Sequence, residues 1–354
     1  MRNKITIVIW FVYIFSLLLL MLLVSALVKK FKLKAPTIPN RSSHSTDAYL
    51  GGGFYISIGL LLITFLWDVN IEIQRIIFGA VMFGIIGIID DFLNIHFKWK
   101  LIAQILVTSI FLYWSNLYLV KLDFGFYIIS IGWIGLIIST LAVLLVVNAF
   151  NYFDGLDGLY LFMFLIMIVI LPTLLSEVDY NDLFLALSFM CIIFLIANFS
   201  ILGITKQFLG DGGNYILSFF ITMFYLHSIQ TDSFPIDFNG SVFGLWFFGL
   251  LFFEFLAISF IRLLQQKSIF LPDKDHLHHL ILIKVNQHAL ASFITGIIYL
   301  LFTLIGLVVT LYYENFSFAL FIFLLGIYLL IRVRPILNLN KKIKTPTRLN
   351  NVIQ

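Results

Sequence analysis

Apolar residues in this chain fall into long unbroken runs, approximately residues 5–28, 51–67, 73–89, 101–118, 128–147, 158–175, 183–203, 213–229, 241–262, 289–312 and 317–333. A bilayer core takes about 20 consecutive apolar residues per helix, so the pattern predicts an all-α chain with about eleven transmembrane helices. Some runs are near the short end of the spanning range, which leaves room for a tilted or re-entrant segment in place of one span. The polar breaks are patterned too. Four of them concentrate acids, amides, glycines and histidines: Asp90-Asp91, Asn148 to Asp157, Gly210-Asp211-Gly212-Gly213, and His276-Leu277-His278-His279. No short fixed period repeats along the chain, and no low-complexity tract marks off a second domain. Residues 1–335 are expected to form one transmembrane domain, followed by a polar tail over 336–354.

Composition excludes a soluble chain: 61% of residues are hydrophobic, 11% are charged, and the mean hydropathy is +1.06. Orientation follows from the cations, which stay on the cytoplasmic side of short loops. If the loop after the first helix is inside, only Arg2, Lys4, Arg75 and Lys121 of the 22 lysines and arginines fall outside. The N-terminus is then out, the C-terminus in. The first run is longer than the roughly 7–15 residues of a signal-peptide core, and its positive cluster follows it, so it reads as a retained anchor. Cys191, the sole cysteine, lies inside a run, which excludes a disulfide framework and a thiolate metal site. The net charge of +4 comes from the inner loops and implies no nucleic-acid partner.

This topology places all four polar clusters on one side. Paired carboxylates at a helix end are often plain interface residues, but Asp90-Asp91 and Lys100 bracket one short inner loop, where two acids beside a cation suit a metal or a proton transfer. In the second cluster Asn148, Asn151, Asp154 and Asp157 recur every three residues, with Gly155 and Gly158 directly after the two aspartates. That is more than an ordinary turn requires. Such oxygens suit a hard cation such as magnesium, or the edge of a base. Asp211 sits among glycines just before a helix, a setting that favours phosphate, although a plain loop reads almost as well. The stretch Asp275-His276-Leu277-His278-His279 is compatible with zinc, a phosphate clamp or a solvated loop; with no thiolate partners, phosphate contact is preferred.

Together these motifs resemble the polyprenyl-phosphate N-acetylhexosamine-1-phosphate transferases, the membrane superfamily of WecA-like and MraY-like enzymes in glycosyltransferase family 4. The resemblance rests on the acidic pair with Lys100 and Gln104 downstream, the Asn-x-x-Asn-x-x-Asp-Gly-x-Asp-Gly-Leu run ending at Leu159, the Gly-Asp-x-Gly loop, and the His-x-His-His motif. The eleven runs and the form of the histidine motif are closer to the WecA-like, O-antigen-initiating branch. Arg41-Ser42-Ser43-His44 followed by Gly51-Gly52-Gly53 is similar to the N-terminal loop of that branch. Departures are Tyr49-Leu50 where the family often has Pro-Arg, Gly213-Asn214 where it often has Gly-Ser, and Glu254 where an aspartate is usual in the ninth span.

The resemblance implies a multi-pass protein of the bacterial inner membrane with its site on the cytoplasmic face. It would transfer an N-acetylamino-sugar 1-phosphate from a UDP-sugar to polyprenyl (undecaprenyl) phosphate for cell-surface glycan synthesis, releasing UMP. The sugar would be N-acetylglucosamine or a deoxy relative such as N-acetylfucosamine. By the same resemblance Asp211 and Asn151 would hold Mg2+, with Mn2+ as a substitute, and Asp90 and Asp91 would orient or deprotonate the lipid phosphate or help hold the metal. Asn148, Asp154 and Asp157 would line the nucleotide site. Lys100, Arg262, His276, His278 and His279 would contact phosphate or sugar, and Arg41 and His44 are further candidates. A homodimer stays open as a protein partnership. Two other classes compete: a secondary transporter, whose polar groups should gather near the midplane, and an intramembrane metalloprotease, which lacks its His-Glu-x-x-His run here.

Overall fold

The computed structural model describes residues 2–35, 48–176, 180–266 and 276–344. Its helices are α1 (Arg2–Lys30), α2 (Gly52–Leu66), α3 (Ile71–Leu93), α4 (Phe97–Ser115), α5 (Ile134–Tyr152), α6 (Leu159–Thr173), α7 (Asn181–Asn198), α8 (Gly210–Gln230), α9 (Gly240–Phe247), α10 (Gly249–Leu264), α11 (Leu277–Val285), α12 (His288–Tyr312) and α13 (Glu314–Lys344). Each apolar run coincides with a helix or, in the ninth run, with the α9–α10 pair. The protein is an all-α, multi-pass membrane protein. Among the described residues six helices are long and apolar enough to span a bilayer by themselves, and a seventh span arises if α9 and α10, bent by 55°, count as one. Helices α2 and α6 are apolar but shorter.

Two boundaries differ from the apolar pattern. The fifth run begins at 128, yet Ile128–Ser130 form a strand, β3, paired antiparallel with β2 (Lys121–Asp123), and α5 starts only at Ile134. Gly125 and Gly132 flank the second strand with φ of +84° and +52°. These turns and the β-branched isoleucines between them favour a hairpin over another helical turn. The seventh run extends to 203, but α7 ends at Asn198, and Ser200 and Leu202 take left-handed φ. At the other end of the chain, α13 continues as helix past 335 to Lys344.

Helix α8 is the centre of the fold, with every residue from Gly212 to Ser228 buried. A helix apolar all round belongs inside a bundle, and α8 packs against α2, α3 and α5. Close approach to α3 depends on glycine: a side chain at Gly87 would collide with the backbone of Asp211, and one at Gly84 with Ile216. Small residues of this kind let membrane helices pack backbone to backbone. A short parallel pairing of β1 (Tyr49–Leu50) with β4 (Gln207–Phe208) fastens the segment after α1 beside the entry to α8. The outer faces of α1 and α13 expose Phe11, Phe15, Leu19, Leu22, Phe323 and Leu330, surface that suits lipid.

Candidate active site

Four helices contribute one polar network. Asp90 and Asp91 end α3, Lys100 lies in the first turn of α4, Asn151 in the last turn of α5, and Asp211 in the first turn of α8. Lys100 Nζ donates to Asp90 Oδ2 at 2.7 Å and to Asp211 Oδ2 at 3.0 Å. Asn151 Nδ2 donates to the other oxygen of Asp211 at 2.8 Å. Asp91 has a different task in this state: its two oxygens accept the backbone N–H groups of Asp211 (2.8 Å) and Gly212 (3.1 Å). A carboxylate there satisfies donors that no helical carbonyl can reach and faces the positive end of the α8 dipole. Gly210, at φ +67°, sets the entry to α8, and a side chain on it would strike the Asp91 carboxylate.

The asparagine–aspartate segment extends this network. Asn148 Nδ2 reaches buried Gln104 Oε1 at 3.0 Å. Asp154, in the loop between α5 and α6, is open to water on one side but deeply ringed by protein. That desolvation, reinforced by the charges of Asp211, Asp91 and Asp157, raises its pKa to about 8. Asp157 turns the other way and forms a 2.7 Å ion pair with Lys206.

The histidine motif packs onto the same loop. A side chain on Gly155 would lie 2.8 Å from His278 Nε2 and 3.2 Å from His279 Nε2, so only glycine admits the motif there. His278 is fully buried, and neither ring nitrogen has a hydrogen-bond partner among the described residues. Burial, then His279 and His276, lowers its pKa well below 6.5. It therefore faces the site as a neutral imidazole. Buried Arg262 places its guanidinium 5.5 Å from the Tyr152 ring centre, and the His276 ring approaches the same tyrosine at 5.1 Å. Arg41 and His44 lie outside the described residues.

Residues 73–229, from the start of α3 to the end of α8, match glycosyl transferase family 4. The likeness to that family covers a little less than half of the chain. The family 4 stretch contains Asp90, Asp91, Lys100, Asn148, Asn151, Asp154, Asp157 and Asp211, while Arg262 and the histidines reach it from beyond its end. The chain is 28% identical over 279 residues to an undecaprenyl-phosphate alpha-N-acetylglucosaminyl 1-phosphate transferase of Yersinia pestis, covering 77% of this chain and 75% of the relative. It is 30% identical over 210 residues to the protein of that name from Escherichia coli (strain K12), covering 58% of this chain and 56% of the relative. Against that second protein the chain thus spans little more than half of the relative's length. A probable undecaprenyl-phosphate N-acetylglucosaminyl 1-phosphate transferase of Bacillus subtilis (strain 168) is 26% identical over 306 residues, 82% of each chain.

Among the described residues, no three His, Cys, Asp or Glu side chains form a ready metal cage. Magnesium needs less from a protein, because it retains waters and takes one or two carboxylates together with substrate phosphates. Asp211, Asp90 and the Asn151 amide are hard oxygen donors of that kind, and the Lys100 ammonium between the carboxylates shows that they accept a cation. The residues fit the ion. Sequence reasoning passed over Tyr152, the ring that Arg262 and His276 share, and Lys206, the partner of Asp157. Tyr152 occupies a variable position of the Asn-x-x-Asn-x-x-Asp motif, so the spacing does not mark it. A cavity of about 610 Å3 lies at the opposite ends of the same helices, lined by Glu72, Arg75, Asn116 and Thr231 among others, and contains none of the candidate residues.

Proposed function

We propose that the protein transfers N-acetylglucosamine 1-phosphate, or a close amino-sugar analogue, from its UDP form to undecaprenyl phosphate at the cytoplasmic face of a bacterial inner membrane. An oxygen of the lipid phosphate attacks the sugar-bearing phosphorus, the bond from that phosphorus to the UMP oxygen breaks, and UMP leaves. One pyrophosphate replaces another, so the reaction is nearly balanced. The observation that carries this reading is the ammonium of Lys100 held between Asp90 and Asp211, with Asn151 beside them, where four helix ends meet. The names of the relatives support the lipid acceptor and favour N-acetylglucosamine as the sugar.

The main obstacle is anion repulsion: two like unit charges ~4 Å apart at an effective dielectric of about 20 repel by roughly 4 kcal/mol. Preorganised positive charge and hydrogen-bond donors offset such repulsion in phosphoryl transfer. Lys100 and Arg262 supply cations, and His278, whose ring nitrogens have no hydrogen-bond partner among the described residues, supplies an N–H for a phosphate or sugar oxygen. Asp211, with Asn151, would hold Mg2+, which would supply further positive charge to the diphosphate. Asp90 would orient the lipid phosphate or take up its proton when Lys100 shifts toward substrate. Asn148 and Asp154 line the approach for the nucleotide. A transporter would gather these groups at mid-depth; here they close helix ends.

The test is incubation of purified protein in lipid with Mg2+, undecaprenyl phosphate and a panel of UDP-sugars, following UMP release and the lipid product. UMP formation that requires the lipid phosphate is expected. Substrate uptake into liposomes with no UMP would overturn the reading.

A further inference from the structure

We propose that Glu254 is a positioning residue that holds the histidine motif against the site and ties α13 to it. Glu254 lies in α10 with no exposed surface. Its Oε2 accepts the backbone N–H of Leu277, the first residue of α11, at 3.1 Å and lies 3.8 Å from His276 Nδ1. Its Oε1 accepts the Tyr328 hydroxyl and lies 3.6 Å from Arg332 Nε, both from α13. One buried carboxylate therefore joins α10, the N-terminus of α11 and the inner half of α13.

The energetics make that junction consequential. Helix α11 has nine residues, and isolated helices shorter than roughly 12–15 residues are marginal in water, so its place depends on docking. A carboxylate at its N-terminus satisfies an orphan N–H and complements the helix dipole. The charge itself is tolerated inside the protein only because Arg332, Tyr328 and His276 surround it. His278 is one residue beyond the held N–H, and its imidazole abuts Gly155 of the nucleotide-side loop. If the anchor is lost, the first N–H of α11 loses its acceptor, and the His278 ring loses its register with the loop. Helix α13, whose outer face meets lipid, thus supports the site through Arg332 and Tyr328 without touching it.

The kinetic arm rests on the transferase reading; the structural arm does not. Glu254→Ala, Glu254→Gln and Arg332→Gln are made in the full-length protein and reconstituted in nanodiscs, where UMP release is measured with amide hydrogen exchange of α11 and α8. For Glu254→Ala a fall in kcat of about 10-fold or more is expected, with KM for the UDP-sugar changed less than about 3-fold. Exchange of amides 280–285 should rise by about 10-fold or more while α8 is unchanged. Glu254→Gln keeps an acceptor for Leu277 and should fall between wild type and Glu254→Ala, which keeps the question answerable if the alanine variant fails to fold. Wild-type kcat and α11 exchange in the glutamine and arginine variants would overturn the proposal, as would lost kcat with α11 exchange unchanged. A wild-type protein that releases no UMP would sink the transferase reading, and α11 exchange would still decide the role of Glu254.

Discussion

The chemistry at residue scale centres on Asp211, which lies between Lys100 and Asn151 while its own N–H is held by Asp91. Replacing it with asparagine keeps the shape but removes one of two carboxylates around the ammonium. Asp211→Asn is expected to lower transferase turnover by at least about 100-fold with insertion intact, measured as UMP release per unit of immunoblotted protein in membranes. Turnover near wild type would remove Asp211 from the reaction. His278 gives a pH-dependent test. Its pKa is depressed in the folded protein by burial first and by His279 and His276 second, so the unfolded chain binds a proton near pH 6.5 that the native state refuses. Stability must then fall as pH drops below that value. From about pH 7.5 to about pH 5.5 the wild type should lose more melting temperature than His278→Gln, by about 2 °C or more; parallel curves would show that the imidazole is not held neutral. The residue types at these positions were readable from the chain because acids, amides and histidines are rare in it. Their pairings were not. Nothing in the sequence assigns Lys206 to Asp157 or turns Asp91 to the α8 backbone, because those partners are set by helix rotation and depth.

The contact of α3 with α8 is the element-scale feature that brings the acids together. Gly87 faces the Asp211 backbone, which cannot yield as a flexible side chain could. Gly87→Val should force the helices apart at the level of the site and reduce activity by about 100-fold or more, whereas Gly326→Ala, with nothing within 4 Å of the added carbon, should behave as wild type. Equal activity of the two variants would show that the close approach is dispensable. Every apolar run became helical because in a bilayer each backbone polar group must find its partner within the segment or a neighbouring one. The β2–β3 hairpin escaped the apolar pattern for a physical reason: Ile128, Ile129 and Ile131 are as apolar as their helical neighbours, and the turns at Gly125 and Gly132 decide their conformation.

At the scale of the whole molecule, the opposite ends of α3, α4 and α8 separate the polar network from the cavity lined by Arg75 and Lys121. The lysine and arginine distribution predicts that the network faces the cytoplasm. Cys191 is fully buried, so single cysteines introduced at exposed positions report sidedness against a silent background. A membrane-impermeant thiol reagent should label Lys121→Cys in intact spheroplasts and Lys284→Cys only after permeabilisation. The reverse pattern would invert the orientation and move the proposed reaction to the other face.

By itself the chain determined that it lies in a membrane, which apolar stretches become helices, and which rare polar residues are candidates for chemistry. Those properties follow from transfer free energies that each segment carries alone. Tertiary structure alone decided that Lys100 bridges Asp90 and Asp211, that His278 is buried and neutral against Gly155, and that Glu254 binds α11 to α13. Contacts between separate helices depend on the relative rotation and depth of those helices, and close packing among neighbours settles both.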